Sequence, residues 1–226
     1  MAELSRRALL LAVIAGRGPA YLRGVDLSDM DLGGVTWLVE ANLQGVNLEH
    51  ANLEAADLRR AMLAEADLKG TNLAKAKLRG ADLTGARLIK AQLIGADLKD
   101  ARLHRATLLE ADLMGAHLAG AALEGATLQR ANLRFADFTG ANLERADLKW
   151  ANLQRATLTG ARLASADLVG ANLEGADLRG ADLKGANFRW ASLQDANLEG
   201  AMLDDAHLGE AKAEGATREP ATEDTD

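Results

Sequence analysis

The chain has no cysteine, two prolines and only seven aromatic side chains (three Trp, three Phe, one Tyr) among its 226 residues. Without thiols there is no disulfide framework, no thiolate nucleophile and no Cys-ligated metal. With so few rings an ordinary mixed core cannot be assembled, so the interior has to be aliphatic. No apolar run approaches the ~18 residues that a transmembrane helix requires. Basic residues number 26 against 33 acidic ones, a net charge of -7 that opposes nonspecific binding to nucleic acid. What is present in abundance is alanine and leucine, in fixed register.

From Ala41 to Glu210 the sequence is an uninterrupted array of 34 five-residue units of the form Ala-(Asn/Asp)-Leu-x-x. The first slot is Ala in 32 units, the exceptions being Val46 and Thr71, and the third is Leu in 32, the exceptions being Phe138 and Phe188. Asn or Asp fills the second slot in 20. A period of five suits neither regular structure. On an α-helix the leucines would spiral around the whole circumference, and on a flat strand an odd spacing sends them to alternate faces. A corner in every unit removes the conflict. If slots one to three are extended, Ala and Leu point inward and Asn/Asp outward, and a two-residue turn at slots four and five redirects the chain.

Stretches such as Ala171-Asn172-Leu173-Glu174-Gly175 resemble the pentapeptide repeat proteins, whose units carry a small residue, then Asn/Asp, then Leu/Phe. The resemblance covers residues 41–210. It implies an all-β fold, a right-handed quadrilateral β-helix (a solenoid) with four units, or twenty residues, per coil. The glycines support the same number independently. In one set of every fourth unit the fifth slot is Gly at 80, 120, 140, 160, 180 and 200, six of eight positions, which points to a turn with positive φ there.

Numbered from Ala41, the units fall into four columns, beginning at residues 41, 46, 51 and 56 and repeating every twenty. Residues twenty apart stack ~4.8 Å from each other, and charges follow that rule. Lys77 falls between Asp57 and Asp97, Arg87 follows Asp67, and Arg102 follows Asp82. Asn52, Asn72, Asn132, Asn152 and Asn172 share a column and can form an amide ladder. Asp147 above Asp167 breaks the pattern.

Three regions follow from the array. Residues 1–19 contain AELSRRALLLAVIA followed by Gly16 and Pro19 and are expected to form an N-terminal capping helix and linker. The alternative is an export signal, since Ser5-Arg6-Arg7 before an apolar run is similar to a twin-arginine motif. Glu3, the short run and the immediate start of the repeat favour the helix, and with it a cytoplasmic location. Residues 20–210 form the β-helix. Its first coil is Ala20-Tyr21-Leu22, Val25-Asp26-Leu27, Met30-Asp31-Leu32 and Val35-Thr36-Trp37, the last in a six-residue unit that must bulge. Residues 211–226 lose the large core residue at Ala213 and Arg218 and are expected to be a disordered acidic tail.

No catalytic chemistry emerges. His50, His104, His117 and His207 occupy four different column positions, so no metal site or base–nucleophile pair converges, and no phosphate loop or catalytic serine motif is present. The expectation is a protein that is not an enzyme, with no cofactor, metal or small-molecule substrate, and no nucleic-acid or membrane partner. Some pentapeptide repeat proteins are associated with fluoroquinolone resistance and imitate DNA on type II topoisomerases, so the resemblance implies gyrase regulation as an alternative. Such mimicry needs continuous acidic strips, whereas residues 21–210 intersperse 21 bases among 27 acids. Arg105, Arg145 and Arg162, for example, surround Glu124 and Glu144.

Outward slots carry ten large apolar residues, and eight of them lie on columns two and three: Ile89, Ile94, Leu109, Met114, Phe135, Trp150, Val169 and Trp190. Met62 and Met202 are the others. An aligned group of this kind marks a candidate partner-binding face, with Arg130 and Arg189 placed to stack on the tryptophans. The expected function is a rigid scaffold that binds an unidentified protein, or itself as a homodimer, through that strip.

Overall fold

The computed structural model describes residues 19–217. The first four-sided coil starts at Ala20, and parallel bridges then join each second-slot residue to its counterpart one coil on, from Asn42↔Met62 and Asn47↔Asp67 to Ser192↔Lys212 and Asn197↔Thr217. The step is twenty residues throughout this stretch, so four units close one coil. About ten coils stack into a rod of ~48 Å at ~4.8 Å per coil. The expected capping helix over residues 1–19 falls, apart from Pro19, outside the described residues.

The backbone accounting explains why five residues suffice for a side. The slot-one N–H closes the turn, as in Val46 N–H to Leu43 C=O at 3.1 Å. Slots two and three form the ladder between coils: Met62 N–H donates to Ala41 C=O (2.9 Å) and Leu43 N–H to Met62 C=O (2.8 Å). The slot-five N–H also crosses to the next coil, as in Gly45 to Ala64 C=O at 2.9 Å. Only slot four is left, and where slot two carries Asn or Asp its side chain takes it. Gln44 N–H donates to Asn42 Oδ1 (3.2 Å) and Thr84 N–H to Asp82 Oδ1 (3.0 Å). Asn and Asp recur because their short side chains satisfy the one backbone donor the coil leaves over.

The core is the stacked slots one and three. Ala and Leu from Ala41 to Leu193 are buried, and Phe138 and Phe188 sit in Leu positions with no exposed surface. Thr71, in an Ala slot, is fully buried, and its hydroxyl donates to Leu48 C=O at 2.7 Å, so the extra polar group is satisfied.

Positive φ is a property of every corner, not of the Gly-rich column alone. Fifth-slot residues from Glu40 (φ 58°) to Gly215 (φ 73°) are all left-handed, including Arg60, Phe135, Trp150 and Trp190. Glycine meets this need without strain, and the other residues adopt it at a cost of about 1 kcal/mol each.

Two boundaries differ from expectation. In the six-residue unit the core position belongs to Leu38, which is buried, while Trp37 is only partly buried and the ladder skips Thr36. The bulge therefore lies between Val35 and Leu38, and it makes the first coil pair at a step of 21, as in Tyr21↔Asn42. At the other end the coil does not stop at Glu210. Lys212 and Thr217 pair with the coil above, Lys212 N–H donating to Ala191 C=O at 2.9 Å and Thr217 N–H to Ala196 C=O at 3.0 Å. The ladder needs only backbone, and Ala211, Ala213 and Ala216 fit inner slots, so the expected tail is coil through Thr217. Residues 218–226 lie outside the description. Without a large residue at 213, Leu203 is only partly buried and Leu208 is exposed.

Candidate protein-binding face

Column two ends in a corner whose fourth and fifth slots face the same edge of the rod in every coil. From the N-terminal side the fourth slot reads Ile89, Leu109, Gln129, Lys149, Val169, Arg189, and the fifth Lys90, Glu110, Arg130, Trp150, Gly170, Trp190. The next corner carries Ile94, Met114 and Phe135. Ile89, Ile94, Leu109, Met114 and Val169 are half-buried against neighbouring coils. Phe135, Trp150 and Trp190 are 47%, 55% and 52% exposed. The eight residues therefore form two short aliphatic rows, bordering one face on either side, and a separate aromatic group nearer the C-terminal end. Gln129 and Arg130 interrupt the strip between Leu109 and Trp150.

The rings are held by specific contacts. Fifth-slot side chains lean onto the corner of the following coil, and the Trp150 ring lies so close over Gly170 that a Cβ at 170 would overlap it. Arg189 stacks on Trp190 with its guanidinium carbon 5.1 Å from the ring centroid, as the sequence suggests. Arg130 makes no such contact. Its place is taken at the other corner by Arg134, 5.3 Å from the Phe135 centroid, with its Nε buried and without a hydrogen-bond partner. Arg134 was not singled out from sequence, although the signal is visible there: Arg in slot four immediately precedes the ring in slot five at both sites.

Several charged groups on the rod are matched by neighbours on the same or adjacent coils. Lys149 bridges the two stacked aspartates, 2.8 Å from Asp167 Oδ2 and 3.3 Å from Asp147 Oδ2, and Gln129 Nε2 donates to Asp147 at 2.6 Å. This resolves the Asp147–Asp167 repulsion. The hydrogen bond to Asp167, seconded by Asp147, holds the Lys149 ammonium above its usual pKa. The anticipated Arg87–Asp67 pair forms at 2.8 Å, and Arg102 approaches Asp82 at 4.0 Å. Asp57 is bound not by Lys77 but by Arg59, through two 2.7 Å hydrogen bonds. The Arg59 guanidinium holds the Asp57 carboxyl below its ordinary range. Of the expected amide ladder one step forms, Asn72 Nδ2 donating to Asn52 Oδ1 (3.1 Å); Asn132 Nδ2 donates instead to Asp112 Oδ1 (2.8 Å), and among the described residues no side-chain hydrogen bond joins Asn132, Asn152 and Asn172, whose Oδ1 atoms accept from slot-four N–H groups.

Concave sites are shallow. One hollow of about 530 Å³ is bordered by Val39, Glu40, Arg59 and Arg79, and another of about 370 Å³ by His104, Arg105, Glu124 and Arg145. Among the described residues no three His, Asp or Glu side chains are grouped to hold a metal ion.

A four-sided, bridge-laddered solenoid with Ala and Leu inside and Asn/Asp capping most of its turns defines a scaffold of the β-helical repeat class. The sequence model for pentapeptide repeats matches in eight copies, and its matches span residues 38–73, 66–105, 81–118, 111–149, 146–185 and 181–217. The chain belongs to the pentapeptide repeat family, and its fold is that family's right-handed quadrilateral β-helix. It is similar to HetL, a pentapeptide repeat protein involved in heterocyst differentiation regulation from the cyanobacterium Nostoc sp. strain PCC 7120, with 37% identity and a TM-score of 0.69. That match covers 95% of this chain and 97% of HetL. A trypsin-treated form of QnrB1, a plasmid-mediated fluoroquinolone resistance protein, shares the fold at 20% identity and a TM-score of 0.50, over 88% of this chain and 90% of that one. No curated protein matches the chain.

Proposed function

We propose that this pentapeptide repeat protein is a non-catalytic, cytoplasmic scaffold that binds another protein, or a second copy of itself, through the edge formed by columns two and three. The observation that carries this reading is the exposure of Phe135, Trp150 and Trp190 at corners where the backbone is left-handed. Glycine serves the same corners elsewhere without strain. A bulky ring at that φ is a cost to the fold, and the return is a large, rigid contact surface of the kind that anchors protein interfaces. The 37% identity to HetL over nearly the full length favours a regulatory role of the same broad kind.

The likeness to QnrB1 concerns the fold alone, and the gyrase-directed alternative finds no unbroken acidic strip to support it. The deciding experiment pairs Leu109→Arg with Trp190→Ala and compares them with Arg79→Ala plus Lys99→Ala on column four. Arg59 is unsuitable as a control because it neutralises Asp57. Sedimentation velocity and affinity capture should show the first pair losing self-association or its partner while remaining folded, with the second pair unchanged. Retention of every partner by both would reject the edge as a binding surface.

A further inference from the structure

The sides of this rod offer no free sheet edge, because the ladder between coils pairs the second and third slots of each face and an Asn or Asp side chain takes the slot-four N–H wherever slot two carries one. A partner lying along the side must therefore be recognised through side chains, without adding a β-strand. Trp150 and Trp190 stand on one corner two coils apart, ~9.6 Å along the axis at ~4.8 Å per coil. One turn of a polyproline II helix, three residues at ~3.1 Å rise, advances ~9.3 Å and needs no backbone pairing. Two prolines three residues apart on such a helix would each meet one indole.

The charge around these rings is reversed relative to the whole. Across the face between the two corners, from Gln129 to Asp195, the second-slot floor is uncharged: Asn132, Asn152, Asn172 and Ser192. The bordering corners carry five bases (Arg130, Arg134, Lys149, Arg155 and Arg189) against two acids (Glu174 and Asp195), in a chain of net charge -7. Lys149 is engaged by Asp147 and Asp167, whereas Arg130, Arg155 and Arg189 have no carboxylate partner among the described residues. Guanidinium groups beside exposed rings select carboxylates next to flat apolar groups.

Resting on the protein-binding reading above, we infer that the Trp150–Trp190 corner docks an acidic, proline-containing segment of a partner protein, held as a polyproline II helix parallel to the rod. The test uses a synthetic peptide of the form Glu-Pro-Pro-Ala-Pro-Pro-Glu, titrated into the full chain while indole emission is followed. Trp150 and Trp190 are the exposed indoles, and the half-buried Trp37 supplies a constant background. Saturable binding is expected, weakened about tenfold or more when alanine replaces proline or lysine replaces glutamate, and weakened by salt. Trp190→Ala and Arg189→Ala should each weaken it by a similar factor, with Arg79→Ala unchanged. Equal binding of the alanine peptide would overturn the inference, as would tighter binding of an oligo-dT of the same length. So would an absence of binding. If the Leu109→Arg plus Trp190→Ala pair still loses its self-association or partner in any of those cases, the broader reading stands and only the choice of ligand falls.

Discussion

At the scale of single residues the corner geometry makes the fifth-slot glycines unequal, although every one of them has positive φ. A Cβ at Gly140 would meet nothing within 4 Å, so Gly140→Ala carries only the left-handed backbone cost of about 1 kcal/mol. At Gly170 the same substitution also drives a methyl into the Trp150 ring. Chemical denaturation should show Gly170→Ala to be clearly more destabilising than Gly140→Ala, with a change in indole emission as the ring lifts. Adding Trp150→Ala should return the cost to the Gly140 value, and an unchanged difference would mean the ring does not lie on that corner. Asp57 gives a second residue-scale expectation. Its carboxyl is buried and held below its ordinary pKa of 3.8 chiefly by the hydrogen bonds from Arg59. A depressed folded-state pKa contributes stability that is present above the unfolded value and is lost as pH falls through the folded one. Asp57→Asn keeps an acceptor for the Arg59 N–H but removes the ion pair. Its deficit against wild type should therefore be full at pH 7 and shrink below about 3.8; a deficit constant from pH 7 to 2.5 would show that the pair contributes nothing through charge.

At the scale of the unit, the period of five told nearly everything about the fold, because each slot has one environment repeated in every coil. The places where sequence was insufficient are those where two slots compete or two columns interact. In the six-residue unit, Trp37 and Leu38 are both apolar, and only packing decides that Leu38 enters the core. Stacking by twenties put Asp147 on Asp167 but could not show that slot-four Lys149 reaches sideways to both. The candidate face was legible as positions, not as contacts: spacing placed Trp150 and Trp190 on one corner, yet the Arg134–Phe135 stack depends on how the side chains lean. Because every unit is backbone-equivalent, deleting Ala106–Glu110 as a whole should leave a folded β-helix whose later residues have moved one face round. Deleting only Ala106–Leu109 shifts alanines and leucines out of the inner slots and should give an unfolded or aggregated product downstream of the cut. Circular dichroism and limited proteolysis of the two deletions decide the point, and equal folding of both would contradict slot-by-slot equivalence.

At the scale of the whole molecule, the same scaffold supports DNA mimicry only if its carboxylates remain available in register along a side. Here several of them are taken up by neighbouring bases. Lys69 holds Glu49 at 2.6 Å, Arg87 holds Asp67 at 2.8 Å, Arg179 holds Asp177 at 2.6 Å, Lys149 holds two aspartates, and Arg162 pairs with Glu144. Each exposed pair contributes little to stability, but together they break the rod's net charge of -7 into short, locally neutral stretches. A surface of that kind does not reproduce the evenly spaced, uncompensated phosphates that a DNA-binding channel attracts. Purified protein at low micromolar concentration should therefore leave gyrase supercoiling unchanged, and should not restore it in the presence of a fluoroquinolone. Glu124 is the most informative carboxylate to vary alongside Glu144, since it borders the hollow shared with Arg105 and Arg145. Clear inhibition that disappears when Glu124 and Glu144 are changed to Gln would establish an acidic strip on column one and move the function from the aromatic edge to a gyrase-directed face.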